Sequence, residues 1–241
     1  MTILGFKDEL QKINYSIKNN QNVFIFGNPY QGKTALLTEA TKDITPEESI
    51  LLYLDCRLTF TAKNFLETCT SVLMKNLSVT VKDLNLLSQK YLPQITPGLN
   101  VVPGQGVNLS MNYNITAKDI TKFTRQFFSS LDNIQKDFGK KIIIVFDNFH
   151  ELYHVENAAI IKIIKETLSQ NHTYIFTCSD EKITKKIFPK KDPAAFDIQT
   201  MIYLEKLPLN IIYFYINQTL HDNNIKMTEN VIDRIISITR G

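Results

Sequence analysis

The chain of 241 residues contains only three cysteines, and these are widely spaced without the pattern of metal ligands: Cys56, Cys69 and Cys178. An odd number of scattered cysteines excludes a disulfide framework, so we expect reduced thiols and a cytoplasmic protein. Charge of one sign is also scarce, because the formal net charge is only +3. Strong nucleic-acid binders usually have a larger imbalance, so the charge indicates no particular partner.

Long hydrophobic runs are missing as well. The longest strongly apolar run, residues 142–146, is far too short to span a bilayer. Residues 1–13 carry acidic side chains and have no apolar stretch followed by small residues, so we expect no signal peptide. With 44% hydrophobic and 21% charged residues, the composition is that of an ordinary globular protein. We therefore expect a soluble protein without a membrane-embedded part.

Glycine is scarce too, at eight residues, yet residues 27–34 read GNPYQGKT and fit the pattern GxxxxGK[ST] at every required position. An apolar run, VFIF at residues 23–26, precedes them, and good helix formers follow. Strand, loop and helix in this order direct backbone N–H groups and a helix N-terminus at phosphates. The predicted triphosphate-binding residues are Gly27, Asn28, Pro29, Tyr30, Gln31, Gly32, Lys33, Thr34 and Ala35.

The same motif predicts how a triphosphate and its magnesium ion are held. Lys33 would reach the β and γ phosphates, and the Thr34 hydroxyl would be one ligand of Mg²⁺. The magnesium ion also needs a carboxylate, which should lie at the end of a buried strand near the loop. Asp147 follows five apolar residues in KIIIVFD and is the candidate Walker B aspartate. The alternative for Asp147 is a capping residue at a strand end.

The residue after that aspartate is often a glutamate that orients and deprotonates the attacking water, but here it is Asn148. An amide can orient water but cannot accept its proton. We therefore expect slow hydrolysis, or another group in this role. Glu151 and His150 are the titratable neighbours, and either can equally be a solvated residue on the following turn.

Polar residues also end two other predicted strands. Thr177 and Ser179 are candidates for contact with the γ-phosphate, with helix capping as the alternative. Asp55 and Arg57 end a second strand, where a loop salt bridge is the alternative to ligand contact. A cluster of lysines could touch a phosphodiester backbone or form a solvated helix face. It consists of Lys182, Lys185, Lys186, Lys190 and Lys191.

Apolar runs and helical patterns alternate along the chain, which predicts an α/β fold with a mostly parallel sheet covered by helices on both faces. We predict strands at 23–26, 50–54, 141–146, 173–177 and 201–204, helices at 62–77, 117–138 and 158–168, and two further helices at 209–220 and 228–238. The predicted domains are a core of residues 1–205 and a helical lid of residues 206–241. We expect the lid to be cut short at Gly241.

Residues 93–115 interrupt this alternation. Prolines and glycines cluster there, and an alternating segment from Val107 follows. These features predict a β-hairpin inserted into the core. Two interpretations stay open: a structural flap over a core edge, or an arm that binds a partner.

Five segments resemble the archaeal-type ATPase family of the AAA+/STAND P-loop NTPases, which are relatives of the origin-recognition ATPases. GNPYQGKTALL resembles the phosphate loop of that family, IIIVFDNFHEL its aspartate-ending strand, TYIFTCSDEKITKKIF its sensor strand and helix, and LEKLPLNIIYFYI the start of its lid. LGFKDEL resembles the opening segment that lines the adenine, which implies base contacts from Leu4 and Gly5. The resemblance implies a three-layer P-loop NTPase fold, ATP with Mg²⁺, and a role associated with DNA, signalling or defence.

The chain also departs from that family. Phe6 stands where the family has an arginine, Asn148 stands where it has the catalytic glutamate, and no arginine follows the sensor helix, although Arg240 is a further candidate sensor. These departures affect hydrolysis more than binding. The predicted function is an ATP-binding switch or motor. The alternatives are a catalytically weak scaffold that recruits a protein or nucleic acid, and a small-molecule kinase. A homo-oligomer and a DNA partner stay open.

Overall fold

The computed structural model describes residues 5–77, 81–102, 106–113, 119–155, 159–168, 171–189 and 192–239. Within these ranges the elements are α1 (Lys7–Lys18), β1 (Asn22–Phe26), α2 (Lys33–Thr41), β2 (Ser49–Asp55), α3 (Ala62–Leu77), α4 (Val81–Tyr91), β3 (Ile95–Val102), β4 (Gly106–Tyr113), α5 (Ile120–Phe138), β5 (Lys141–Asp147), α6 (Ala159–Glu166), β6 (Thr173–Cys178), α7 (Glu181–Ile187), α8 (Pro193–Phe196), β7 (Ile198–Tyr203), α9 (Leu209–Asp222) and α10 (Glu229–Thr239). Short 3-10 turns follow β2, at Cys56–Leu58, and β5, at Phe149–His154.

Five strands form one parallel sheet in the order β2-β5-β6-β1-β7. Because the strands are parallel, their carboxyl ends meet at a single edge, where ligands bind in open α/β sheets. The register pairs Asp55 at the end of β2 with Asp147 at the end of β5. The predicted α/β class with a parallel sheet is confirmed, and each predicted strand lies within three residues of an observed one.

Helices cover both faces of the sheet and make three layers. Alternate residues of β5 separate the two cores: Ile143 and Val145 pack with Leu36 and Leu37 of α2 on one face. On the other face Ile142, Ile144 and Phe146 pack against α3, α5 and α6. Strands buried on both faces read as continuous apolar runs, which is why their sequences showed no period of two.

The predicted β-hairpin is present as a separate two-stranded antiparallel sheet formed by β3 and β4. Its strands contact α4 and α3 respectively. This position beside two core helices is what a structural flap requires. Binding of a partner by the hairpin stays a prediction.

Three of the described helices were absent from the sequence prediction: α4, the short α8, and α1, which buries Ile13 and Ser16. A buried serine does not count as part of an apolar stripe, so the apolar pattern does not reveal the whole buried face of α1. In the described part of the chain, no helix is both long and apolar enough to cross a membrane. Cys56, Cys69 and Cys178 are buried free thiols.

Acidification should destabilise the protein through His172, which directly precedes β6 and is 1% exposed. Burial lowers the pKa of its imidazole, and Asp132, whose Oδ1 lies 3.2 Å from Nε2, opposes this only in part. The folded-state pKa is therefore below that of the unfolded chain, about 6.5, so the unfolded chain binds more protons as pH falls and stability is lost below about pH 6.5.

We expect His172→Gln to show a flatter dependence of unfolding free energy on pH than the wild type, between about pH 7 and 5.5, in urea titrations. His221→Gln replaces an exposed imidazole and should keep the wild-type slope. Equal slopes in all three proteins would contradict the assignment to His172.

Candidate functional site

The loop between β1 and α2 owes its shape to two glycines. A Cβ on Gly27 would lie 2.9 Å from Gln31 Oε1 and 3.1 Å from Leu204 Cβ, so the backbone passes too close to its neighbours for a side chain. Gly32 has a φ of +86°, which favours glycine, and it caps α2. Inside the loop, Gln31 Oε1 accepts from the Asn28 N–H at 2.5 Å. Tyr30 is 98% exposed.

Lys33 is folded back onto this loop and is only 6% exposed. Its Nζ donates to the carbonyl oxygens of Gly27 at 2.7 Å and of Asn28 at 2.8 Å. Burial lowers the pKa of Lys33, while the nearby Asp147 and Cys178 act in the opposite direction. A cation is thus held at the amino end of α2, where the helix dipole also favours an anion.

Asp147 joins three elements at the carboxyl edge of the sheet and is 1% exposed. Its Oδ2 accepts from Thr34 Oγ1 at 2.7 Å and from Tyr53 O–H at 3.2 Å, and its Oδ1 accepts from Thr177 Oγ1 at 2.5 Å. A hydroxyl and a carboxylate in direct contact are the oxygen donors that Mg²⁺ prefers, so Thr34 and Asp147 fit a magnesium ion. Thr177, a candidate for the γ-phosphate, is buried and bonded to Asp147 instead.

Asn148 directly follows β5 and contacts one residue of each neighbouring strand, Thr177 of β6 and Asp55 of β2. Its φ of 58° is left-handed, a conformation that asparagine adopts more readily than most residues. Its backbone N–H donates to Thr177 Oγ1 at 2.8 Å, and its Nδ2 lies 3.5 Å from Asp55 Oδ1 in a long hydrogen bond. Arg57 donates to both Asp55 oxygens and holds the pKa of that carboxyl below its usual range. The salt bridge between Arg57 and Asp55, which was the alternative to ligand contact, is therefore present, and Asp55 also contacts Asn148.

The other candidates lie on the opposite side of Asp147. His150 is buried, and its Nε2 lies 3.1 Å from Ser179 Oγ, after the end of β6. Burial lowers the pKa of His150, so the imidazole is neutral near pH 7. Glu151 lies beside it, with Oε1 3.5 Å from His150 Nε2, and its side chain is 41% exposed.

A cleft of about 930 Å³ opens between the loop and the C-terminal helices. Its apolar lining includes Phe6, Leu207, Ile212 and Ile236. Gly5, predicted to contact the base, has a φ of +104°, and a Cβ there would lie 2.4 Å from Leu207 Cδ2. Leu4 and Arg240, which the resemblance also implicated, lie outside the described residues.

The lysine cluster follows Asp180, which caps α7 by accepting from the Ile183 N–H at 2.8 Å. Lys185 pairs with Glu181, and Lys186 lies over the ring of Tyr153 at 5.3 Å. The opposite side of α7 buries Ile187. This is the arrangement of a solvated helix face packed on a core. Lys190 and Lys191 lie outside the described residues.

Comparison with known sequences agrees with this geometry. The sequence profile of the KAP family P-loop domain matches residues 13–238. The chain belongs to the KAP family. No match is found among curated proteins. The family match covers the phosphate loop, Asp147 and both C-terminal helices.

Solved structures show the same fold as this KAP-family domain at low sequence identity. A Walker-type ATPase of Pyrococcus abyssi has a TM-score of 0.61 and 15% identity, and the match covers 98% of this chain and 63% of that one. The ORC1 protein of Aeropyrum pernix, solved with DNA, has a TM-score of 0.58, 10% identity, and coverage of 92% and 50%. DnaA from Aquifex aeolicus, bound to AMPPCP, has a TM-score of 0.52, 15% identity, and coverage of 97% and 57%.

The expected P-loop NTPase family is confirmed by the KAP family match, and the fold is shared with the origin-recognition protein ORC1. This chain spans about half to two thirds of the length of those proteins. At such identities the likeness establishes the fold alone, which is a P-loop NTPase fold.

Some residues of the KAP-family site were not foreseen from the sequence. Tyr53 contacts Asp147, and the cleft residues Leu207, Ile212 and Ile236 come from the C-terminal part of the chain. Tyr53 precedes Asp55 by two positions, so both belong to one face of β2. That spacing was the available signal, but only the strand order shows that β2 lies beside β5.

Proposed function

We propose that this KAP-family domain binds Mg-ATP and acts as a nucleotide-dependent switch or motor module. The observation that carries the proposal is the contact of Thr34 with Asp147 beside the buried Lys33 at the start of α2. A hydroxyl, a carboxylate and an ammonium are thereby gathered at one helix N-terminus. Together they suit a triphosphate and its metal ion.

In this proposal the loop residues Gly27 to Ala35 hold the phosphates through their backbone N–H groups. Lys33 exchanges the carbonyls of Gly27 and Asn28 for phosphate oxygens, and Ser179 faces the γ-phosphate. Thr34 and Asp147 hold Mg²⁺, which when bound neutralises charge on the phosphates. The base lies in the cleft between Phe6 and the lid.

The proposed domains are a core of residues 1–205 and a lid of residues 206–241. The cleft is lined from both sides, so a nucleotide in it would contact core and lid together. A ligand that binds one lid position better than another shifts the lid toward it. This is the physical basis of the switch. The buried free thiols support a reducing compartment, and we place the domain in the cytoplasm.

The second candidate is a catalytically weak scaffold that binds nucleotide and recruits a protein or nucleic acid, as a monomer or a homo-oligomer. Asn148 favours it, because an amide replaces the expected proton acceptor. ORC1 of Aeropyrum pernix was solved with DNA, which supports DNA as one partner class by analogy of fold.

Calorimetric titration tests the nucleotide proposal. We expect ATP and ADP to bind in the presence of Mg²⁺, and ATP to bind more weakly when EDTA removes the metal, because Thr34 and Asp147 then lose their ligand. Hydrolysis is followed in parallel as phosphate release. Absence of binding at millimolar ATP and ADP would refute the proposal, whereas binding without hydrolysis would favour the scaffold.

A further inference from the structure

A carboxylate does lie where the expected glutamate is missing, but it comes from the neighbouring strand. Asp55 ends β2 in register with Asp147, and its Oδ1 accepts from the Asn148 side chain. The resemblance places the acid directly after Asp147, and here that position carries the amide. An acid after β2 and an amide after β5 thus lie side by side.

Asp55 is on the face of the sheet that carries the phosphate loop. Leu51 and Tyr53, at two-residue intervals before it, belong to the core between the sheet and α2. Tyr53 reaches Asp147 Oδ2, the same oxygen that accepts from Thr34. Successive side chains of a strand alternate between faces, so Asp55 lies on the side of Tyr53 and Thr34.

We propose that Asp55 is the catalytic base of this domain, and that Asn148 positions it through the hydrogen bond between the amide and the acid. The inference rests on the proposed function, since it requires ATP in the site. An Asp55 oxygen accepts a proton from the attacking water. The water oxygen bonds to the γ-phosphorus as the bond to the β,γ-bridging oxygen breaks. The electron pair of that bond leaves with ADP, and Asp55 then returns its proton to solvent.

The two other titratable groups are less well placed for this step. Glu151 is one turn further along, beside the neutral imidazole of His150, and its side chain is 41% exposed. The His150 nitrogen that could accept a proton, Nε2, is already engaged with Ser179 Oγ, and Nδ1 is buried. Asp55, in contrast, is held by Arg57 and Asn148 at the edge that binds ligands in parallel sheets.

The decisive variants exchange carboxylate and amide without changing shape. We expect Asp55→Asn to lower single-turnover ATP hydrolysis by about 100-fold or more, with the affinity for a fluorescent ATP analogue unchanged within about threefold. Adding Asn148→Asp to it restores one acid and one amide to the pair, and should recover at least about tenfold over Asp55→Asn. Glu48→Gln, at the other end of β2, is the matched control and should hydrolyse ATP at the wild-type rate.

Each result has a distinct meaning. A folded Asp55→Asn variant that binds and hydrolyses ATP like the wild type would overturn the inference, as would an exchanged pair that recovers nothing. If the wild type binds ATP but never hydrolyses it, Asp55 is no base, while the proposed ATP binding stands. If the wild type binds no ATP, the proposed function itself is wrong.

Discussion

Lys33→Ala should abolish the stabilisation of the folded protein by Mg-ATP. A ligand that binds only the native state adds about 2.7 kcal/mol of stability at 100 times its Kd. Lys33 is the buried cation at the start of α2, and its ammonium donates to the loop carbonyls of Gly27 and Asn28. Without its ammonium, the β and γ phosphates lose their main counter-charge. We expect the shift in unfolding midpoint with Mg-ATP to disappear, and hydrolysis to fall by at least about 100-fold.

The same substitution should leave the nucleotide-free protein folded. Burial lowers the pKa of Lys33, so the folded state does not favour its charged form. Its hydrogen bond to the carbonyl of Asn28, an exposed loop residue, can be replaced by water, whereas the carbonyl of Gly27 is buried. We therefore expect a loss of about 1 kcal/mol in urea unfolding without nucleotide. This separates binding from folding.

Lys42→Ala is the matched control for Lys33→Ala. Lys42 directly follows α2, is exposed and pairs with Glu39. Its removal should change neither the Mg-ATP shift nor hydrolysis, since exposed ion pairs contribute little. If Lys33→Ala were stabilised by Mg-ATP as much as the wild type, the assignment of the phosphate site to this loop would fail.

The sequence signal for the proposed phosphate site is local. The motif residues lie within eight positions of one another: Gly27, Gly32, Lys33 and Thr34. The composition of the flanking segments predicts the strand before them and the helix after them. Asp147 is far from the loop in the sequence, but it could still be identified because five apolar residues before a carboxylate mark the end of a buried strand. These residues do meet in the structure, through the Thr34–Asp147 hydrogen bond.

The contacts of Asp55 and Tyr53 could not be predicted in the same way. They depend on β2 being the neighbour of β5, although about ninety residues separate the two strands. Because the strands have similar apolar compositions, the sequence does not indicate their order in the sheet. The burial of Ser16 on α1 could not be predicted for a related reason, because its hydroxyl hydrogen-bonds to Thr200 of β7, a contact that only the tertiary fold creates.

Replacing Asn148 with the expected glutamate should weaken the fold and give no gain in turnover. The long hydrogen bond from Asn148 to Asp55 would become a contact between two carboxylates, which is unfavourable. The φ of 58° adds a cost of roughly 1 kcal/mol for any side chain other than asparagine, aspartate or glycine. In urea unfolding without nucleotide, we expect Asn148→Glu to lose about 2 kcal/mol in all.

Asn148→Gln separates the two contributions, because glutamine has the size and backbone preference of glutamate without its charge. We expect Asn148→Gln to be less destabilised than Asn148→Glu by about 1 kcal/mol. In an Asp55→Asn background that difference between the two substitutions should vanish, since no second carboxylate remains. A difference that persists there would locate the repulsion elsewhere, and a rise in turnover on Asn148→Glu would mean that the site lacks a base rather than holding one on β2.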